Sequence, residues 1–291
     1  MTHHYVVTHG VRDVVARLSS HIPASQIHLG VPTTALLPDG NCAARVTIAC
    51  GAGEDLALYP GFEHVILATQ ANHAAHLVRG YACALEEQQA VQAAEHAAQL
   101  SACLSRFEYR QTIVVNHTDD SLLPADPRDR RDLNLVVISS SFEPPEGKFV
   151  GAEPTGLVLP PTYAMTTHVL QVPRPAIKAS GMAILQTTNP TIAPRPGSVL
   201  SVSRLERALL TRKSKDALHS LCADEGDMVG VGPLQGAARR ELGGSAAGLW
   251  VIGSYAHRGI PLLEGCVVSA REVVERGVLR CEGGSVHGSP W

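Results

Sequence analysis

Apolar residues at Val11, Val14, Val15 and Leu18 recur at helical spacing behind His9-Gly10, so a short amphipathic helix that packs on a neighbour is predicted near the start of the chain. From 27 to 37 the pattern becomes extended. Asp39-Gly40-Asn41 then marks a turn, 44–50 a second strand, and Gly51-Ala52-Gly53 another turn before Leu56-Ala57-Leu58. Strands this closely spaced predict a small antiparallel meander. The apolar run 64–69 ends in small residues and predicts a buried strand leading into helices over 71–78 and 84–104.

Further strands are predicted at 111–117, 133–138, 162–172 and 182–187, where β-branched residues and alternation dominate, and together they make a largely antiparallel sheet. Between them, 119–132 is a loop rich in Pro, Asp and Arg, and 142–161 is a long exposed excursion rich in Pro and Gly. The mixed-charge stretch 204–221 predicts a helix. Last come a buried strand at 249–254 and a helix at 265–277 ended by its glycine. Internal repeats are absent from the sequence, and the fold class is α/β (α+β).

Composition narrows the function. The 291 residues carry 24 Lys+Arg against 27 Asp+Glu, a formal charge of -3, which argues against a nucleic-acid partner. No run approaches the ~18 apolar residues of a membrane span, and the first residues lack the basic flank and apolar run of a secretory signal. A soluble cytoplasmic protein without a membrane partner is expected. Seven cysteines, at 42, 50, 83, 103, 222, 266 and 281, include no Cys-x-x-Cys pair, and none of the 14 histidines stands in a His-Glu-x-x-His frame, so buried thiols and no metal site are expected. Arg128, Arg130 and Arg131 are balanced by aspartates and read as a solvated loop, and Ser139-Ser140-Ser141 lacks the Gly-x-Ser-x-Gly frame of a hydrolase.

Four segments, taken in order, carry a resemblance. Tyr5-Val-Val-Thr-His-Gly-Val-Arg-Asp-Val-Val introduces the first helix, and Ile27-His-Leu-Gly-Val-Pro-Thr-Thr-Ala-Leu includes Thr33. Phe62-Glu-His-Val-Ile-Leu-Ala-Thr-Gln-Ala-Asn-His-Ala includes Thr69, and Gly248-Leu-Trp-Val-Ile-Gly-Ser-Tyr is followed by Gly259 and Glu264-Gly-Cys-Val-Val-Ser-Ala. In this order they resemble the C-terminal portion of a flavin-containing amine-oxidase-like protein of the FAD/NAD(P)-binding superfamily. His117-Thr118-Asp119 and Leu185-Gln-Thr-Thr-Asn-Pro190 resemble the substrate-domain strands of the same branch.

The resemblance implies an FAD-dependent oxidoreductase that moves hydride from a small-molecule substrate to the flavin. It places FAD against Thr33, Thr69, Gly253, Ser254, Gly265, Cys266 and Val267, with Tyr255 and His257 lining the substrate pocket. The closing motif also has a physical reading of its own: a glycine at a strand end permits close approach, and free N–H groups at Gly265, Cys266 and Val267 would open a helix whose positive end suits an anion. His117 beside Asp119, and His168, are further acid–base candidates. In place of the Gly-Phe-His-Glu-Asp-Gly type of run found in relatives, this chain reads Gly259-Ile-Pro-Leu-Leu-Glu-Gly265, so the substrate chemistry of that branch is not carried over.

A Gly-x-Gly-x-x-Gly turn after a strand, with an acidic residue about 20 positions on, would hold the ADP half of FAD. The sequence contains none: Gly51-Ala-Gly reads as a hairpin, and Gly230-Val-Gly232 runs into Pro233. The resemblance therefore starts partway through the family pattern and implies a truncated, incomplete FAD-binding domain that depends on a missing N-terminal segment or a partner chain. The expected domains are 1–105, partial FAD-binding; 106–225, substrate-binding; and 226–291, the strand and helix completing the first. The alternative is a non-catalytic remnant or interaction protein that keeps the scaffold without FAD.

Overall fold

The computed structural model of the chain describes residues 10–40, 42–137, 164–170, 183–223, 231–259 and 261–284. The predicted excursion at 142–161 and Ser139-Ser140-Ser141 lie outside them. In chain order the elements are α1 (Gly10–Ser19), β1 (Thr33–Asp39), β2 (Cys42–Cys50), β3 (Ala57–Phe62), β4 (His64–Leu67), α2 (Ala71–Glu87) and α3 (Val91–Leu104). There follow β5 (Tyr109–His117), β6 (Leu133–Val136), β7 (Met165–Leu170), β8 (Ile184–Thr188), β9 (Val199–Ala208), α4 (Arg212–Leu221), α5 (Ala237–Leu242), β10 (Gly248–Val251) and α6 (Leu263–Glu272). The last helix continues as a π-helical segment, Val273–Val278, and a closing turn, Leu279–Cys281. The chain divides into two compact units, Ala24–Tyr109 with Ala208–Trp291, and Met1–Pro23 with Arg110–Arg207.

The first unit holds the larger core. The predicted meander is present: β1 pairs antiparallel with β2, and β2 with β3. Gly51 turns the chain at φ +78°, where a Cβ would collide with the Asp55 carbonyl, so only glycine fits this turn. α2 packs on α3, and Ala74, Ala75, Val78 and Ala82 of the one and Ala93, Ala94 and Ala97 of the other are buried in one cluster. These small side chains let the two helices approach closely, and Ser101 Oγ donates to the Ala75 carbonyl at 2.9 Å between them. β4 lies parallel to β10. The predicted strand and helices at 64–104 are thus found, with the helical stretch broken near Gln89, whose φ is +60°.

The second unit contains a five-stranded sheet in the order β6-β7-β8-β5-β9. β6–β7, β7–β8 and β8–β5 are antiparallel, as expected. The stretch 204–221 is corrected: its first part belongs to β9, and only Arg212–Leu221 is helical, started by a reciprocal Thr211–Ser214 capping box. α1 forms where predicted, but none of its residues is buried, so its apolar stripe does not serve as a core face among the described residues.

The final helix also departs from expectation. It begins at Leu263 and runs through Gly277 to Cys281, because Gly277 faces the Trp250 ring: a Cβ there would lie 2.4 Å from Cζ3. Packing, rather than termination, explains this glycine.

Candidate functional site

β4 and β10 run side by side in the same direction, with Val65 against Leu249 and Leu67 against Val251. Their carboxyl ends therefore lie together, the end of a parallel sheet at which α/β proteins bind ligands. From β4 the chain turns through Ala68-Thr69-Gln70 into α2, and from β10 it turns through Ile252-Gly253-Ser254 towards α6. The far edge of β10 is closed by a side chain. Buried Gln235 accepts from the Val251 N–H and donates to the Val251 carbonyl, both at 2.8 Å, while the Gly236 N–H donates to the Leu249 carbonyl at 2.8 Å.

Gly253 sits at φ +146°, and a Cβ there would stand 3.1 Å from the Tyr255 ring, so both backbone and space call for glycine. Its N–H donates to Ser269 Oγ at 3.0 Å, and that hydroxyl lies 3.2 Å from the carbonyls of Gly253 and Cys266. Tyr255 folds beneath the turn into the core, edge-on to Phe107 with ring centroids 5.2 Å apart. Its hydroxyl donates to the Thr69 carbonyl at 3.0 Å, and burial holds its phenol pKa well above the ordinary value. Cys222 lies below the same turn with Sγ 3.4 Å from the Ala256 carbonyl, and burial pushes its thiol up to about 11.

Gly265 is the contact point between α6 and this turn. A Cβ on it would approach His257 Cβ and Cδ2 at 3.3 Å and Ser254 Cα at 3.4 Å. The structure thus brings Thr69, Gly253, Ser254, Tyr255, His257 and Gly265 to one end of the β4–β10 pair, with Cys266 and Val267 following on α6. Thr33 stands apart from those turns, at the start of β1, its hydroxyl 3.7 Å from Cys50 Sγ.

The helix opening is shifted from the expected position. The N–H of Gly265 donates to the Leu262 carbonyl at 3.0 Å, and Cys266 and Val267 lie far enough into α6 for the helical ladder to engage their amides. The open first turn is instead that of Leu263 and Glu264, and no side chain caps it among the described residues. α2 differs, since the Tyr109 hydroxyl accepts from its first amide, Ala71, at 2.7 Å. Gln235, Ser269 and Phe107 escaped sequence reasoning; their roles come from contacts distant along the chain, and a lone Gln or Ser carries no motif.

The second unit holds a different polar cluster. The Asp119 N–H donates to Nδ1 of buried His117 at 3.1 Å, which leaves Nε2–H to donate to Thr187 Oγ1 at 2.7 Å. Thr187 in turn lies 2.8 Å from Thr167 Oγ1. Burial lowers the His117 pKa, opposed by the charge of Asp119. Asp119, only 1% exposed, is gripped by Arg195 at 2.7 Å and by Ser121, which hold its carboxyl far below the ordinary value. His117 and Asp119 are thus saturated by their own neighbours, and His168 is exposed. Arg128, Arg130 and Arg131 bond to Asp126 and to nearby carbonyls, as a solvated loop would.

Among the described residues, no group of three or more His, Cys, Asp or Glu side chains could hold a metal ion, and no helix is long and apolar enough to cross a membrane. The family model described as flavin containing amine oxidoreductase matches residues 2–276. A search of curated proteins found no match.

Proposed function

The chain belongs to the flavin-containing amine oxidoreductase family, whose members are flavin-dependent oxidoreductases, and from that premise we propose that it binds FAD and oxidises a small-molecule substrate at the carboxyl ends of β4 and β10. The observation that carries this reading is the pairing of two strand-to-helix turns there: the β4–α2 turn at Thr69, and the β10–α6 turn, which holds Gly253 at φ +146° and leads to a helix whose first turn no side chain caps among the described residues. These residues fit a flavin: glycines at Gly253 and Gly265 let backbone approach a flat ring, and the open amides of Leu263 and Glu264 suit its electron-rich edge or a phosphate. When bound, FAD supplies the hydride acceptor. The chain supplies shape: Thr69, Gly253, Ser254, Gly265, Cys266 and Val267 would face the cofactor, Thr33 would approach from the meander, and His257 would border the substrate. Tyr255 supports that pocket from below, with its hydroxyl already bonded to Thr69.

A second reading, a scaffold that retains this shape without FAD, is favoured by the lack of a Gly-x-Gly-x-x-Gly turn in the 291 residues. Titration of the purified chain with FAD, followed by absorbance in the flavin bands after gel filtration, separates the two. Retention of one flavin per chain supports the enzyme; a colourless protein at saturating FAD overturns it in favour of the scaffold.

A further inference from the structure

We propose that Tyr255 is a positioning residue that locks the two turns of the candidate site into one body; this rests on the flavin reading for its consequence and on the hydrogen bonds alone for its existence. The two turns leave different strands and enter different helices, so nothing in the sequence obliges them to move together. The phenol bridges them. Its hydroxyl donates to the Thr69 carbonyl at 3.0 Å in the β4–α2 turn, while its own backbone belongs to the turn that follows β10.

The aim of that hydroxyl is set from three sides. Phe107 packs edge-on against the ring with centroids 5.2 Å apart, Gly253 lies over it where a Cβ would stand only 3.1 Å from the ring, and Ser269 fixes Gly253 by accepting its N–H at 3.0 Å. A continuous line of contacts therefore runs from Thr69 through Tyr255 and Gly253 to Ser269, whose hydroxyl also lies 3.2 Å from the Cys266 carbonyl on α6. Burial keeps the phenol protonated, so it remains a donor across the neutral range. A flavin held between turns coupled in this way meets a preformed edge and need not order each turn separately.

The test compares wild type with Tyr255→Phe, which removes one oxygen and keeps the ring. Amide hydrogen exchange on the full chain reads the lock directly. Exchange at Gln70 and Ala71 and at Gly253 and Ser254 is expected to rise about fivefold to tenfold together, the factor one neutral hydrogen bond is worth, while α3 stays protected. Phe107→Leu loosens the same core without removing the hydroxyl and is expected to speed exchange broadly, with no excess at the two turns. A rise confined to the Gly253 turn, no rise at all, or the same local pattern in Phe107→Leu overturns the inference. FAD titration is the second arm. If wild type binds and the variant binds about tenfold more weakly, the lock serves the cofactor; equal affinity overturns that role. Should wild type bind no FAD, the flavin reading fails, and the exchange result still decides whether the lock exists.

Discussion

The indole N–H of Trp250 donates to Nδ1 of His64 at 3.0 Å, joining neighbouring strands of the β4–β10 pair through their side chains. Because an indole can only donate, His64 must accept at Nδ1 and present Nε2–H to Glu282, 2.8 Å away. Arg239 completes the cluster by bonding to Glu282 and Glu63 at 2.9 and 3.2 Å. The ring of Trp250 is fully buried, and three glycines make room for it: Gly236, Gly248 and Gly277 would each place a Cβ within 2.7 Å of indole atoms.

Gly277→Ala is therefore expected to destabilise the protein by about 1–3 kcal/mol, since the new methyl overlaps a ring that has nowhere to go. Gly80→Ala, on the exposed side of α2 with nothing within 4 Å of the new Cβ, is expected to stabilise by about 0.5–1 kcal/mol. Urea unfolding midpoints of the two variants should move in opposite directions.

The pH dependence of stability should carry the mark of His117. Its folded pKa is lowered, so the unfolded chain binds the proton more readily. The contribution of His117 is complete above the unfolded value of about 6.5 and is lost as pH falls from there through the folded pKa. Urea unfolding at pH 7.5 and 5.5 should show a loss for wild type that shrinks in His117→Gln, by at most about 1.4 kcal/mol per pH unit. An unchanged difference between the two pH values would remove His117 from the account.

Cysteine reactivity should divide by burial. Cys103 and Cys222 are buried, and desolvation raises both thiols to about 11, so at pH 8 about one in a thousand would be thiolate. Cys42 and Cys83 are exposed. Labelling with an aromatic disulfide is expected to show a fast phase that Cys42→Ser and Cys83→Ser reduce and that Cys103→Ser and Cys222→Ser leave intact.

The two site glycines should differ in severity. Gly253→Ala faces both a φ of +146° and the Tyr255 ring at 3.1 Å, whereas Gly265→Ala meets His257 and Ser254 at 3.3–3.4 Å with an ordinary helical backbone. FAD titration is expected to show loss of binding for the first and roughly tenfold weakening for the second. The reverse order would mean that strain at Gly253 does not shape the site.

The meander was legible because its turns carry Asp-Gly and Gly-Ala-Gly between alternating strands, and β4 with α2 because an apolar run met small residues and then helical spacing. β9 was missed for a physical reason. Val199–Ala208 is exposed along most of its length, so no buried face imposed alternation, and Arg204-Leu-Glu-Arg207 looks as helical as the true helix that follows. In the sequence alone Gly277 reads as a stop, because glycine disfavours helix interiors; the reason it is tolerated, the bulk of Trp250, lies far away along the chain. At the candidate site, Gly253 and Gly265 were visible as residues that admit close approach. The inward fold of Tyr255 was not, because it depends on Phe107 and on a carbonyl at Thr69.

Gln235 has one more consequence. By meeting both hydrogen-bonding groups of Val251 with a primary amide, it imitates a neighbouring backbone and leaves that flank with no vacancy for another chain to zip onto. The ribbon formed by the two parallel segments is thus closed at Val251 and at the Leu249 carbonyl, on the margin of β10 away from His64–Leu67.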